Sequence, residues 1–310
     1  MNIMVGNSKT GARIWCALMV GLFLLGCSTP KVNFRFALKN ENYKEVQQAN
    51  RLKTNKTEVT SQYFQMEGPA WENENIAFRN YFDERNGMDI FGKKTAKMIL
   101  DSVGIRTNYH EMQPWGMDIL KVGNSLGSGG IGLIIGDTLY RIGPKGDGSF
   151  KLLEESKKLV RFELLFDEVK ILDRNYHISH IISIKPNTFY FENSLAITGL
   201  QGDEVLAVGI VDHIKKVNHL SDSNRQILYT HGTQTMQNET LGMAIETDSE
   251  YFMASGHTQN FKGEVTNSHL MQLKLSNDTP TQWKFYAVWD TSHPQFGTEE
   301  SFISLMKTSR

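Results

Sequence analysis

The chain has 310 residues, with 33 Lys and Arg against 34 Asp and Glu and a formal net charge of −1. Its 40% of apolar residues can build a core, and with no basic excess to draw a phosphate backbone, nucleic acid is excluded as the expected partner. Both cysteines, Cys16 and Cys27, fall at the start, so the rest can hold no disulfide framework, thiolate metal site or cysteine nucleophile.

Lys9 and Arg13 precede an apolar run, 14–25, which closes on Leu24-Leu25-Gly26-Cys27. A basic start, a short apolar core and a small residue before the cut mark a secretory signal. The run is too short for a spanning helix, which needs about 20 apolar residues. A Leu-Leu-Gly-Cys ending is a bacterial lipobox, so residues 1–26 are expected to be removed and Cys27 to carry a lipid. Ser28 rather than Asp after the Cys favours the outer membrane, with the protein facing the periplasm or the cell surface. An ordinary signal peptide that ends in Cys by chance is the plainer alternative. Residues 27–62 are polar and read as a solvated tether, with 34–38 at most an edge strand.

Residues 63–310 read as one β domain. Short runs of β-branched and aromatic residues predict strands at 76–84, 130–135, 138–142, 158–169, 176–184, 189–195, 205–211, 226–233, 241–246, 251–255, 268–274 and 284–289. Turn chemistry lies at Gly136-Asp137 and at Gly146-Asp147-Gly148. Helical periodicity is confined to 95–103 and 299–307. Many strands, few helices and no repeat period predict an all-β fold, a large antiparallel β-sandwich with few short helices.

Chemistry concentrates in 77–86. On a strand, Ala77, Arg79, Tyr81, Asp83 and Arg85 share one face, while Ile76, Phe78 and Phe82 take the other and enter the core. A row of Arg, Tyr, Asp and Arg suits an anionic, hydroxyl-rich ligand: guanidinium donors pair with carboxylate or sulfate, and Asp accepts from sugar hydroxyls. A solvated face with weak ion pairs is the bland reading. Tyr109-His110-Glu111 follows, with Trp115 close behind. The imidazole of His110 suits acid–base work near neutral pH, or else it only pins a loop. Trp115 could stack on a sugar ring.

The glycines of 123–130 lack the Lys-Ser/Thr ending and following helix of a phosphate loop, so close backbone packing is expected there. His177 and His180 face opposite sides of a strand, which does not make a metal pair. Tyr229 and His231 share a face, and His231 or His213 could line a cleft. His257 and His269 carry no distinguishing context, and Trp283 and Trp289 read as core. No spacing points to a metal, and no cofactor is expected.

Glu67-Gly68-Pro69-Ala70-Trp71-Glu72, the 77–86 strand, Met88-Asp89-Ile90-Phe91-Gly92-Lys93-Lys94, Tyr109-His110-Glu111 and Trp115-Gly116-Met117-Asp118 occur in that order. In these residues the chain resembles the domain-of-unknown-function 4861 family, exported bacterial proteins found among polysaccharide-degrading enzymes. The likeness is dense from about 67 to 132 and thins afterwards. It implies a β-sandwich and an acidic oligosaccharide substrate, since some members are similar to ulvan oligosaccharide dehydratases, which remove water from a terminal uronic acid.

That chemistry requires a cation for the uronate carboxylate, a base for the C5 proton and an acid for the leaving 4-hydroxyl. The roles fall to Arg79 for the carboxylate with Arg85 in reserve, His110 as base, and Tyr81 or Tyr109 as acid. Asp83, Trp115 and His231 are expected to bind the sugar. Arg79→Ala and His110→Ala are both expected to fold and to lose turnover. A non-catalytic oligosaccharide-binding lipoprotein is the alternative. A glycoside hydrolase comes third and needs two carboxylates at a set separation, from Asp83, Glu111 and Asp118.

Overall fold

The long strands alternate buried and outward residues, and that alternation decides the layers. A computed structural model of the protein describes residues 31–309. Along Val160–Ile171, the residues Val160, Phe162, Leu164 and Phe166 turn inward, while Arg161 is exposed. This strand belongs to a nine-stranded antiparallel sheet in the order Asn218–Ser221, Arg225–Thr233, Thr240–Asp248, Thr281–Trp289, Tyr190–Thr198, Arg174–Ile184, Val160–Ile171, Asp147–Glu155, Gln48–Asn50.

Two five-stranded sheets face it. One runs Val32–Arg35, Ala70–Asn73, Ile76–Asn80, Met88–Lys93, Gly116–Asp118. The other runs Thr138–Arg141, Ser128–Ile135, Glu204–Val211, Ser268–Lys274, Phe252–His257, and adjoins the first where Met88 bridges Gly127. A single apolar core fills the space between the layers. Trp71 packs on Phe162 and Phe191, and Phe78 packs on Phe191 and Phe285, with ring centroids between 4.8 and 6.3 Å apart. The fold is an all-β sandwich. No helix among the described residues is long and apolar enough to cross a membrane.

Every expected strand is present, all but Ser268–Lys274 with shifted ends. The strand expected at 76–84 stops at Asn80, because the chain turns through 81–87 with Asn86 at φ 44°. Gly136-Asp137 makes the expected hairpin, with Gly136 at φ 60°. The Gly146 segment instead leads from a 3₁₀ turn into Asp147–Glu155. The glycines of 123–130 pack closely, as expected: a Cβ on Gly127 would sit 2.0 Å from the Met88 carbonyl oxygen.

Two readings need correction. The stretch 27–62 is no tether over its described part. Val32–Arg35 pairs with Ala70–Asn73, Gln48–Asn50 joins the large sheet, and Phe34 and Phe36 enter the core, Phe34 stacked 5.2 Å from Phe150. Phe34 and Phe36 anchor it together with buried Val32, Ala37, Arg51 and Thr60. The stretch 95–103 forms turns rather than a helix. Its apolar residues Ile99, Leu100 and Val103 are buried, but the Ile99 and Leu100 amides donate to Glu72, 2.7 and 2.9 Å away, in place of helical carbonyls. The signal, the lipobox and Cys27 lie outside the described residues.

Candidate active site

The face of the first five-stranded sheet turned away from the core carries charge under cover. Ile76–Asn80 sends Phe78 inward and Arg79 outward, and the loop 94–115 closes over that face with Ile99, Leu100, Val103, Tyr109 and Trp115 packed on Phe91 and Ala77. Beneath it the Arg79 guanidinium is 1% exposed and bonded on all sides. Nη2 donates to Asp118 at 2.7 Å and to Asp89 at 2.8 Å, while Nη1 donates to Glu67 at 3.3 Å and to the Tyr109 hydroxyl at 3.1 Å. Arg79 also lies over the rings of Tyr81, Phe91 and Tyr109, about 5 Å from each.

Register explains the convergence. Arg79 stands opposite Asp89 on the neighbouring strand, and Phe91, two residues on, stands opposite Asp118. Three neighbouring strands therefore place Arg79, Asp89 and Asp118 on one face. Gly116 makes the last strand possible. It sits at φ 127°, and a Cβ there would come 1.8 Å from the Gly92 carbonyl oxygen. Glu67 enters from a sharp turn in which Met66 and Glu67 both hold the left-handed conformation, φ 55° and 64°. Such strain in side-chain-bearing residues persists only where the surroundings fix it.

Arg85 extends the cluster toward the surface. It donates to Asp83 and Glu67, each at 2.6 Å, and to Thr57 Oγ1 at 2.7 Å, and it lies 4.2 Å over the Tyr81 ring. Two guanidiniums thus meet four carboxyl groups, an acidic excess in a dry place. Burial, helped by the neighbouring Asp118, pushes the Asp89 carboxyl up to about 7. Tyr81 donates to Asp89 at 2.5 Å, and burial lifts its own pKa well above the usual phenol value.

His110 is the outlet. Its side chain is 51% exposed, while Nδ1 lies 3.1 Å from Oδ2 of Asp118, a residue 2% exposed. The hydrogen bond to Asp118 raises the imidazole pKa above 6.5. The other carboxylate oxygen, Oδ1, is buried with no partner among the described residues. Tyr109 lies beside His110 with ring centroids 4.3 Å apart, and burial raises its phenol pKa, so its proton is retained at neutral pH. The arrangement is a half-exposed imidazole oriented by a buried carboxylate that a buried guanidinium holds in turn. It can take or give a proton at its outer nitrogen while the inner one stays fixed.

The structure brings Arg79, Tyr81, Asp83, Arg85, Tyr109 and His110 into one cluster, but it reassigns several of them. Arg79 cannot reach a ligand, since it is sealed under the loop and three carboxylates occupy it. Asp83 is fully buried and spent on Arg85 and on Thr60, whose hydroxyl donates to it at 2.6 Å. Trp115 packs edge-to-face with Phe91, centroids 6.1 Å apart, and is partly buried in holding the loop down. His231 belongs elsewhere: it stacks on Phe302 of the C-terminal helix Glu299–Thr308 and bonds the Phe296 carbonyl at 3.2 Å. His213 bonds the Lys121 carbonyl, and His257 bonds Asp212 at 2.8 Å. His180 is buried on Asn193, facing away from the exposed His177, and Trp283 and Trp289 are core. Of the three carboxylates a hydrolase could draw on, Asp83 and Asp118 are buried and held by Arg85 and Arg79, and Glu111 is exposed, where it accepts from Asn108. Among the described residues no group of three or more His, Cys, Asp or Glu is arranged to hold a metal ion.

Sequence reasoning missed Glu67 and Asp89 as site residues, and considered Asp118 only as a hydrolase carboxylate, not as the partner of His110 and Arg79. Their signal was present, an acidic residue inside each of three motifs, but cross-strand register was needed to read it.

A family model, domain of unknown function (DUF4861), matches residues 28–310. The chain belongs to this family. In the DUF4861 member described here, the charge cluster and the loop covering it fall wholly within the matched region. No curated protein matches the sequence. Among solved structures, the chain is similar to a Klebsiella pneumoniae subsp. pneumoniae protein that carries the name aldose 1-epimerase. The two are 8% identical with a TM-score of 0.38, over 89% of this chain and 94% of the other.

Proposed function

We propose that this DUF4861 protein is an outer-membrane lipoprotein, held by a lipid on Cys27, that removes water from the non-reducing-end uronic acid of an oligosaccharide. The observation that carries the reading is the His110–Asp118 pair, an exposed base on a buried, guanidinium-held carboxylate. Neutral His110 takes the C5 proton at its outer nitrogen. The electron pair left at C5 forms the 4,5 double bond as the C4–O bond breaks. Tyr109, kept protonated by burial, turns its hydroxyl from Arg79 and Glu67 toward the substrate and gives its proton to the departing hydroxyl, which leaves as water. For the substrate carboxylate, Arg85 replaces Arg79. Thr57 is the one neutral partner in the Arg85 set, and displacing it frees Nη1. Arg79 becomes a positioning residue acting through Asp118 and Tyr109.

The test is mass spectrometry of uronate-ended oligosaccharides after incubation. Turnover gives loss of one water and a product absorbing near the ultraviolet edge. His110→Ala should fold normally and lose on the order of 10²–10⁴-fold in rate. Unsaturated product formed at the parent rate by that variant removes His110 from the chemistry.

A non-catalytic binding lipoprotein is the second reading. It is favoured by one observation: Arg79, Asp83, Asp89 and Asp118 are buried and locked in ion pairs, as in a site built for rigidity. A binder returns the same oligosaccharides unchanged.

A further inference from the structure

The nine-stranded sheet also has a face turned away from the core, and its two halves differ. On one half the C-terminal helix seats Phe302 and Met306 over Tyr229, Tyr286 and Val288. Over the other half there is a hollow of about 410 Å³ whose lining includes Arg161, Ser183, Glu192, Ser194, Glu246 and Lys284. These residues are ordered by register. Arg161 stands opposite Ser183, Ser183 opposite Glu192, Glu192 opposite Lys284, and Lys284 opposite Glu246, one straight row across five strands. At about 4.8 Å per strand the row runs roughly 19 Å.

The row is preorganised at one end and unspent at the other. Glu246 is 5% exposed and holds Lys284 at 3.4 Å, Arg225 at 3.5 Å and the Tyr286 hydroxyl at 3.2 Å. Lys284 rests 4.8 Å over the Tyr190 ring, and Glu192 is paired with Lys185 at 2.7 Å. Arg161 is different. It is exposed and forms no ion pair among the described residues, although Glu154 is its register partner on the next strand. The hydroxyls of Ser183 and Ser194 have no hydrogen-bond partner there either. Asp248, also in the lining, is exposed and carries a charge unpaired among the described residues at the Glu246 side. At the other side the free Arg161 guanidinium and the Ser183 and Ser194 hydroxyls complement a chain of hydroxyls bearing carboxylate or sulfate, because a guanidinium offers paired donors to either group.

We infer that this trough is a second, non-catalytic binding site for an acidic oligosaccharide chain laid across the strands, with its anionic group on Arg161. The trough and His110 stand on opposite outer faces of the sandwich, with the Phe78, Phe191 and Phe285 core between them. Binding here therefore holds for a dehydratase and for a binder alike.

The experiment is calorimetric titration of the full chain with a uronic acid hexasaccharide, a sulfated galactan hexasaccharide and neutral cellohexaose. The His110→Ala protein is used as parent so that nothing is consumed. Binding of at least one acidic probe is expected, weakened tenfold or more by Arg161→Glu and by Ser194→Trp, which fills the trough; cellohexaose binds weakly or not at all. The preferred acidic probe tells carboxylate from sulfate. The inference is overturned if neither acidic probe binds the parent, or if both trough variants bind as tightly as the parent. It is also overturned if sedimentation shows a parent dimer that either variant splits, for then the face is an interface between copies.

Discussion

Two buried charge clusters sit side by side on one sheet face and are built to different ends. Glu72 and Lys93 form a simple pair, both fully buried, with Nζ donating to the carboxylate at 2.6 Å and to the Asn73 carbonyl. Burial raises the pKa of the one and lowers that of the other, and the second carboxylate oxygen captures the Ile99 and Leu100 amides. One cation meets one anion, every partner is satisfied, and nothing opens to solvent. The result is a clasp for the loop 94–115. The Arg79 cluster has more acids than bases, a carboxyl near 7, an unpaired carboxylate oxygen and a histidine at the surface. Burying charge is costly in both places. Only the second reaches the surface, through His110.

Substitutions can break that contrast. The largest effect is expected from Arg79→Met, which strands three carboxylates. Removing one partner of a buried pair costs about 3–5 kcal/mol, so chemical denaturation should show a loss at or above that range. This corrects the expectation that Arg79→Ala folds normally. Lys93→Met should cost about 3–5 kcal/mol by the same reasoning, but adding Glu72→Gln should recover much of it, since a one-to-one pair tolerates joint neutralisation. A matching single repair, Asp89→Asn in Arg79→Met, should recover much less. Equal rescue in the two clusters would erase the distinction.

Next comes pH. Asp89 takes up its proton near 7 when folded and near 3.8 when unfolded, so the native state binds the extra proton between those values. Stability should therefore fall as pH rises through that window. The raised His110 pKa acts in the same direction: its contribution is complete below 6.5 and is lost as pH climbs through the higher folded value. Thermal unfolding followed from pH 4 to 8 should show this slope, and Asp89→Asn should flatten it. The smallest effect is a shift in position. If neutral His110 is the base, kcat/KM rises with pH through the raised imidazole pKa. Asp118→Asn should move that limb to lower pH as well as lowering the rate, and an unmoved limb would disconnect the two residues.

Much of the fold was legible because the long strands of the large sheet alternate cleanly, as in Val160–Ile171. Ala70–Asn73 and Met88–Lys93 were not, because all their residues are buried: one face meets the core and the other meets the covering loop, so polar and apolar residues mix without a period of two. The loop 94–115 hid its fold for a related reason, since its apolar residues have helical spacing while Glu72 takes the amides a helix would need. In the site, Arg79, Tyr81, Tyr109 and His110 could be gathered from strand alternation and a nearby motif. Their division of labour could not, because Asp118 lies 39 residues from Arg79 in the chain and meets it only across two strand pairings. His231 failed for want of the same information.

Gly116 gives the arrangement a mechanical side. The backbone passes so close to the Gly92 carbonyl that even a methyl group would shove the three-residue strand sideways, carrying Asp118 with it two positions on. The bearing of the imidazole is thus gauged by an atom that is missing, much as a shim sets the gap between two machined parts. Variation at this position should loosen the aim of His110 long before it unfolds the sandwich.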